Sequence, residues 1–334
     1  MGFRVMSVFA ALLIGNAAAA HHSAAMFDTS KEITFDGVVT RYDWKNPHVY
    51  MTVRTAGPDG AEREQEIEAG AASVLQPLGL AKESLHPGDR VTVHANPSRR
   101  GEGHIVLGRE IVTADGSVLP LFIASRSIKA PSAERAKGLA GTWLAPRDGF
   151  FAFTSSVRGG PLTEAGKKAL ADFDVSDATH ARCIPVTAPT LMLYPVVRTI
   201  EVDDDTIVFN VDWMSSKRAV YMDGRGHPEN GQRTLHGHSI GHWEGNTLVI
   251  DTVDFADHRE GNALGLPSGP RKHLVERLSL TQDARHINYK VALEDPDYLE
   301  KPVEFYSQWE YRPDLAPTNL ECDPGVAKRY LTDE

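Results

Sequence analysis

Three stretches in the second half of the chain alternate apolar and polar residues with a period of two: Ile207, Phe209, Val211 and Trp213; Ile287, Tyr289, Val291 and Leu293; and Val303, Phe305, Ser307, Trp309 and Tyr311. A period of two places every second side chain on one face of an extended strand, so each stretch has one buried and one wet side. Such strands become stable when their apolar faces close on one another. Roughly seven of them, joined by short turns such as Glu244-Gly245-Asn246, predict a large antiparallel β-barrel over residues 139–334, with an interior able to hold a ligand.

The Gly141-Thr142-Trp143 tripeptide at the start of that segment makes the predicted barrel lipocalin-like. One helix is predicted within it, over 163–173, opened by the capping-box-like Thr163-Glu164-Ala165-Gly166. The first half is also β: runs at 33–44, 49–55, 62–68, 89–95 and 104–113, with a brief helix at 73–78, predict a small five-stranded barrel of the oligonucleotide/oligosaccharide-binding (OB) type over 21–116. Turns at Gly57-Pro58-Asp59-Gly60 and His86-Pro87-Gly88-Asp89 separate its strands. Residues 117–138 show no lasting period and predict a linker between the two units. The fold class is therefore mainly β, a small OB-like barrel followed by a larger one.

Residues 1–20 carry one positive charge at Arg4, an apolar core over 5–14 and the small residues Ala17 to Ala20, which is the pattern of a cleaved secretory signal. That apolar core falls far short of the ~20 residues that span a bilayer, and none longer follows, so a membrane-spanning chain is not expected. A periplasmic or secreted protein is. The formal charge of −10 becomes −11 once Arg4 is removed, and the acids are scattered, which disfavours nucleic-acid partners. Cys183 and Cys322 are the two cysteines, and in an oxidising compartment they predict a disulfide.

Carboxylates on apolar faces mark candidate chemistry. Glu276 alternates with Leu274, Leu278 and Leu280, and Asp251 with Val249, Val253 and Phe255, so both are expected to point inward. A buried carboxylate is either ion-paired, here by Arg225 or Arg218, or takes up a proton and serves as a general acid. Asp223-Gly224-Arg225-Gly226-His227-Pro228 reads as a turn at a barrel rim, presenting an acid, a guanidinium and an imidazole to a ligand, or else a tight turn with Arg225 paired to Asp223. His236, His238 and His242 fall at alternate strand positions, a spacing that allows zinc or copper but lacks any supporting Cys or His-Glu-x-x-His pattern. Gly237-His238-Ser239-Ile240-Gly241 matches the serine-hydrolase pattern but leads into a strand and not the helix that pattern needs. Cleavage near residue 20 would place His21 and His22 at a free amine, a copper-binding arrangement.

Several segments together resemble a group of exported bacterial proteins of unknown function: His21-His22-Ser23, Trp44-Lys45-Asn46-Pro47-His48, Leu85-His86-Pro87-Gly88-Asp89-Arg90-Val91, Asp223 to Pro228, and Gly237 to Val249. The resemblance covers most of the chain after the leader and implies two β domains without an activity. Asp223, Arg225, His227, His238, Trp243 and Glu276 match the group's pattern; His236 and His242 do not, which weakens a metal site there.

These residues predict a protein that binds a small, largely apolar molecule in the second barrel outside the cytoplasm. Glu276, Asp251 and Asp223 are the candidates for acid–base catalysis such as hydration, dehydration or isomerisation, with Arg225, His227, His238 and Trp243 contacting the ligand. No cofactor is required by this reading. The alternative is a non-catalytic protein that holds copper at His21 and His22 or binds a protein partner.

Overall fold

The computed structural model describes residues 26–57, 59–101, 105–123, 129–174 and 178–329; the leader and the proposed copper ligands His21 and His22 lie outside the described residues. Five strands, β1 (Ile33–Asp43), β2 (Tyr50–Ala56), β3 (Glu62–Glu68), β4 (Arg90–Asn96) and β5 (Val106–Thr113), form the small barrel. β1 runs antiparallel to β2 and β4, β2 to β3, and β4 to β5, while a parallel pair, Ile67 opposite Val106 on β3 and β5, closes the ring. Val39, Met51, Val53, Ile67, Val93 and Ile111 fill it. One end is plugged by α1 (Ala72–Leu75) and a 3-10 turn, Gln76–Leu78, whose Leu75 and Leu78 join the same core. Close passage of β1 over β2 requires Gly37, because a Cβ there would lie 2.5 Å from the Arg54 carbonyl oxygen.

The segment read as a linker does not begin at 117. β6 (Val118–Pro120) pairs with β5, and Leu121 is fully buried in the small barrel's core. Its short length and single Pro hid the strand.

The second barrel has nine strands: β7 (Gly141–Leu144), β8 (Val197–Val202), β9 (Thr206–Val211), β10 (Ser216–Tyr221), β11 (His238–Glu244), β12 (Thr247–Val253), β15 (His273–Leu280), β16 (His286–Glu294) and β17 (Val303–Tyr311), the last closing on β7. Strands that strictly alternate up and down can close only in even numbers. A ring of nine therefore contains a parallel pair, and it is β10 with β11, joined by the crossover 222–237. This departs from the simple up-and-down order expected, because that crossover carries the chain back along the barrel before β11 starts. Between β12 and β15, β13 (His258–Ala263) and β14 (Leu266–Ser268) form a separate hairpin. Helices α2 (Arg147–Arg158) and α4 (Thr190–Leu193) pack on β13, and α3 (Glu164–Ala171) on β14, so one end of the barrel is covered.

The interior is packed with side chains. Tyr289 and Trp309 stack with ring centroids 4.7 Å apart, the Arg198 guanidinium sits 4.5 Å over Trp309, and Trp143, Phe209, Leu278 and Ile287 are completely buried. The chain then leaves β17 and returns to the small barrel as a strap. Asp212 accepts from Thr318 N at 2.7 Å, Asn46 Nδ2 donates to Leu320 O, and Lys45 pairs with Asp323 at 2.7 Å ahead of α5 (Pro324–Ala327). Cys183 and Cys322 are bonded, as predicted, and fasten this strap to the second barrel.

Candidate functional site

Glu276 does point into the barrel, and its partner is Arg218. Arg218 Nη1 donates to Oε1 at 3.0 Å and Nη2 to Oε2, while Tyr289 donates its hydroxyl to Oε1 at 2.8 Å. Thr252 and Ser239 accept two more guanidinium hydrogens at 2.8 and 3.2 Å. Both charged groups are buried, and the charge of Glu276 holds the Arg218 guanidinium's pKa up against its burial. With both oxygens engaged by a buried guanidinium, the Glu276 carboxylate is one half of a buried ion pair. Ser239, the residue of the hydrolase-like pattern, is the guanidinium's neighbour in this network.

Asp251 faces outward. In the β12–β15 register Ile250 lies opposite Glu276 and Thr252 opposite Leu274, which puts Leu248, Ile250 and Thr252 inside and Asp251 on the outer wall. The alternation with Phe255 misleads because Asp254, with φ +58°, turns the chain and sends Phe255 inward. Outside, Asp251 gathers three of the histidines. His227 Nε2 lies 3.0 Å from Oδ1 and His273 Nε2 3.1 Å from Oδ2, both as donors, and His227 Nδ1 lies 2.8 Å from His238 Nδ1. A gap that short holds one proton, so one of the two imidazoles accepts from the other. Burial, then His227, lower the pKa of His238. Tyr221 stacks on His238 and carries the Arg225 guanidinium 4.0 Å over its ring, and Arg225 Nε donates to Asp223 at 2.9 Å.

Five of the singled-out residues, Asp223, Arg225, His227, His238 and Asp251, thus meet on one patch, with His273 added. Together they pin the crossover against the wall. His236 and His242 do not join: His236 turns into a buried site where desolvation, with Arg218, His258 and Lys272 near it, lowers its pKa to about 4, and His242 pairs with Glu244 in the open. Trp243 stands exposed by the β11–β12 turn. Among the described residues, no group of three or more His, Cys, Asp or Glu is arranged to hold a metal ion.

Spaces of ligand size lie elsewhere: one of about 740 Å³ on the small barrel beside Phe35, Arg63 and Arg99, and one at the seam of the two barrels, walled in part by an uncapped helix. A groove of about 700 Å³ is walled by Leu144 at the end of β7 and Pro146 just after it, the first two turns of α2, Phe305 and Ser307 of β17, and Pro77 and Leu78 of the small barrel's plug. Charged groups also line it, among them Lys129, Arg147, Asp148 and Glu310. Immediately across α2 is a smaller cleft of about 130 Å³, lined by Phe150, Phe151, Tyr194 and Trp213 together with His48 and His180. His48 ends the Trp44-Lys45-Asn46-Pro47-His48 motif and lies 3.2 Å from the buried Glu68. None of these groove or cleft residues was singled out as a site from sequence. The signal existed at Ser307, a polar residue on an apolar face like Glu276.

Fold and groove define a two-barrel β protein with a ligand-sized space between its barrels. Residues 10–107 match the profile of a family of unknown function, DUF6152, a span that ends in β5. No curated protein matches the chain. Among solved structures, the DNA polymerase sliding clamp from Pseudomonas aeruginosa, determined with a ligand, aligns at 11% identity over 86% of this chain and 60% of that one, with a TM-score of 0.10. This chain spans 60% of that protein's length. No helix among the described residues is long and apolar enough to cross a membrane.

Proposed function

We propose that the protein binds a small, largely apolar molecule outside the cytoplasm, and that the molecule sits in the groove between the barrels, not inside the second one. The observation that carries this is the groove itself. Its volume of about 700 Å³ falls in the range of small-molecule sites, and such sites favour the junctions of domains. Leu78, Leu144, Pro146 and Phe305 supply apolar walls. The second barrel's interior is taken up by Trp143, Tyr289, Trp309 and the Arg218–Glu276 pair, which expose 1% of their surface or less. An extracytoplasmic site is supported by the signal-like residues 1–20 and by the Cys183–Cys322 bond, since disulfides persist in oxidising compartments. Glu276, Asp251 and Asp223 line neither groove nor cleft, so the proposal is binding without acid–base work by these three.

Ala152 is an exposed residue of α2 on the groove wall, and Ala152→Trp fills the groove without touching either core. A neutral apolar fluorophore, N-phenyl-1-naphthylamine, is expected to bind the full chain saturably and to bind Ala152→Trp at least roughly tenfold more weakly, at unchanged melting temperature. Equal binding by the two proteins would remove the groove as the seat.

A further inference from the structure

The groove is not apolar throughout, and its polar end has a definite chemistry. Helix α2 is 12 residues long, and its N-cap is Pro146, whose ring offers no hydrogen-bonding group; no side chain caps the helix. The first N–H groups of a helix carry the positive end of its dipole, which makes such an end receptive to an anion, although in α2 Gly149 N already donates to Pro146 O at 3.2 Å. Its first residues, Arg147, Asp148 and Gly149, all line the groove.

A second observation at the same point is independent of the helix. Ser307 reaches this end from β17. It is only 5% exposed, and its hydroxyl has no hydrogen-bond partner among the described residues. Most buried side-chain polar groups are satisfied; Thr154 and Ser268 also carry an unpartnered buried hydroxyl, but of the three only Ser307 lines the groove, where a ligand can supply the partner. The hydroxyl is aimed at the opening turn of α2, since a Cβ built on Gly149 would come within 3.3 Å of Ser307 Oγ. Glycine there lets the hydroxyl approach the first turn of the helix, beside the Pro146 ring.

We propose that the uncapped N-terminus of α2, the Ser307 hydroxyl and the Arg147 guanidinium form an anion subsite, and that the groove's ligand is an apolar body ending in a single carboxylate. This rests on the reading of the groove as the ligand seat. Arg147 donates one guanidinium hydrogen to the Ile123 carbonyl oxygen at 3.2 Å, which holds its charge at the groove wall. Lys129 also lines the groove, and Arg312 is engaged by Asp314 at 2.8 Å. Asp148 and Glu310 line the same space and oppose a doubly charged head group, so a carboxylate fits better than a phosphate monoester. Pro77, Leu78, Leu144 and Phe305 then flank the apolar body.

The test is calorimetric titration of the full chain, at neutral pH, with decanoate, decan-1-ol and decyl phosphate. The wild type should bind decanoate roughly tenfold more tightly than decan-1-ol, as expected for a charge-assisted head-group contact, and more tightly than decyl phosphate. Ser307→Ala and Arg147→Gln should each weaken decanoate by roughly threefold or more while leaving decan-1-ol unchanged. Equal affinity of the wild type for decanoate and decan-1-ol would overturn the anion subsite and leave the groove standing. An undiminished preference for decanoate in both variants would also overturn it, by placing the charge contact elsewhere. Tighter binding of decyl phosphate would overturn the carboxylate assignment. Binding of none of the three would defeat the groove reading itself, and the neutral fluorophore would then fail as well.

Discussion

Arg218 and Glu276 illustrate what a single buried charge can and cannot do in this molecule. Each is tolerated because the other is present, and Tyr289, Thr252 and Ser239 absorb the hydrogen bonds left over. Glu276→Gln keeps the shape but strands a buried guanidinium, and should cost about 3–5 kcal/mol in chemical denaturation. An unchanged unfolding midpoint would mean that the pair is not structural. His236 gives the pH dependence at the same scale. Its imidazole takes up a proton near the ordinary value of 6.5 in the unfolded chain but only near about 4 when folded. Between those values the unfolded state binds more protons, so stability is full above pH 6.5 and drains away as the pH falls through 4. His236→Phe should flatten that acid limb in denaturation curves recorded across the window; an identical slope would assign the effect elsewhere. Glu276's inward position was legible from alternation; its partner was narrowed only to Arg225 or Arg218, because alternation along one strand does not say which cation reaches the interior from another. Asp251 was misread because one left-handed residue, Asp254, shifts the apolar pattern by a face beyond the strand's end, and sequence gives no mark of that turn.

Strands were legible wherever one face is wet. Every strand of the small barrel lies within a residue or two of its predicted run, because turns with Gly and Pro punctuate them. Helix α3 follows its capping signal: Thr163 Oγ1 accepts from Gly166 N at 3.1 Å and donates to Asp297 O at 2.8 Å. Thr163→Ala should therefore lower stability by about 1–2 kcal/mol, and Thr163→Ser should restore most of it, both read by thermal melting. No loss in Thr163→Ala would show that the cap contributes nothing. Helix α2 was missed although its buried residues, Gly149, Phe150, Phe153, Thr154 and Val157, follow a helical spacing. Three Phe, two Ser, a Thr and a Gly are weak helix formers, and docking against β13 and β17 outweighs that propensity. The polar end of the groove depends on this helix, so missing it also hid the site. The outer-wall cluster was half legible: Asp223, Arg225 and His227 stood out in one turn, His238 and Asp251 in two other segments and His273 in none, and their convergence on Asp251 depends on the crossover that makes β10 and β11 parallel.

At the scale of the whole molecule, two barrels that each close on their own strands are joined by a seam and a strap. The strap explains the reach of the disulfide, whose partners are 139 residues apart. Closing a loop of that length is worth up to about 5 kcal/mol in the chain-entropy account. Changing both Cys183 and Cys322 to Ser should lower the melting temperature and expose residues 315–329 to limited proteolysis first, since that segment then holds to the small barrel only through contacts such as Lys45–Asp323. Unaltered cleavage would mean that these contacts suffice alone. The seam carries the central claim, that ligand is held between the barrels and not within one. A crystal structure of the full chain soaked with decan-1-ol tests it most directly. The alkyl chain is predicted along Leu78, Leu144 and Phe305 beside α2, with Tyr289, Trp309 and the Arg218–Glu276 pair undisturbed; an alkyl chain inside the nine-stranded barrel would contradict the account.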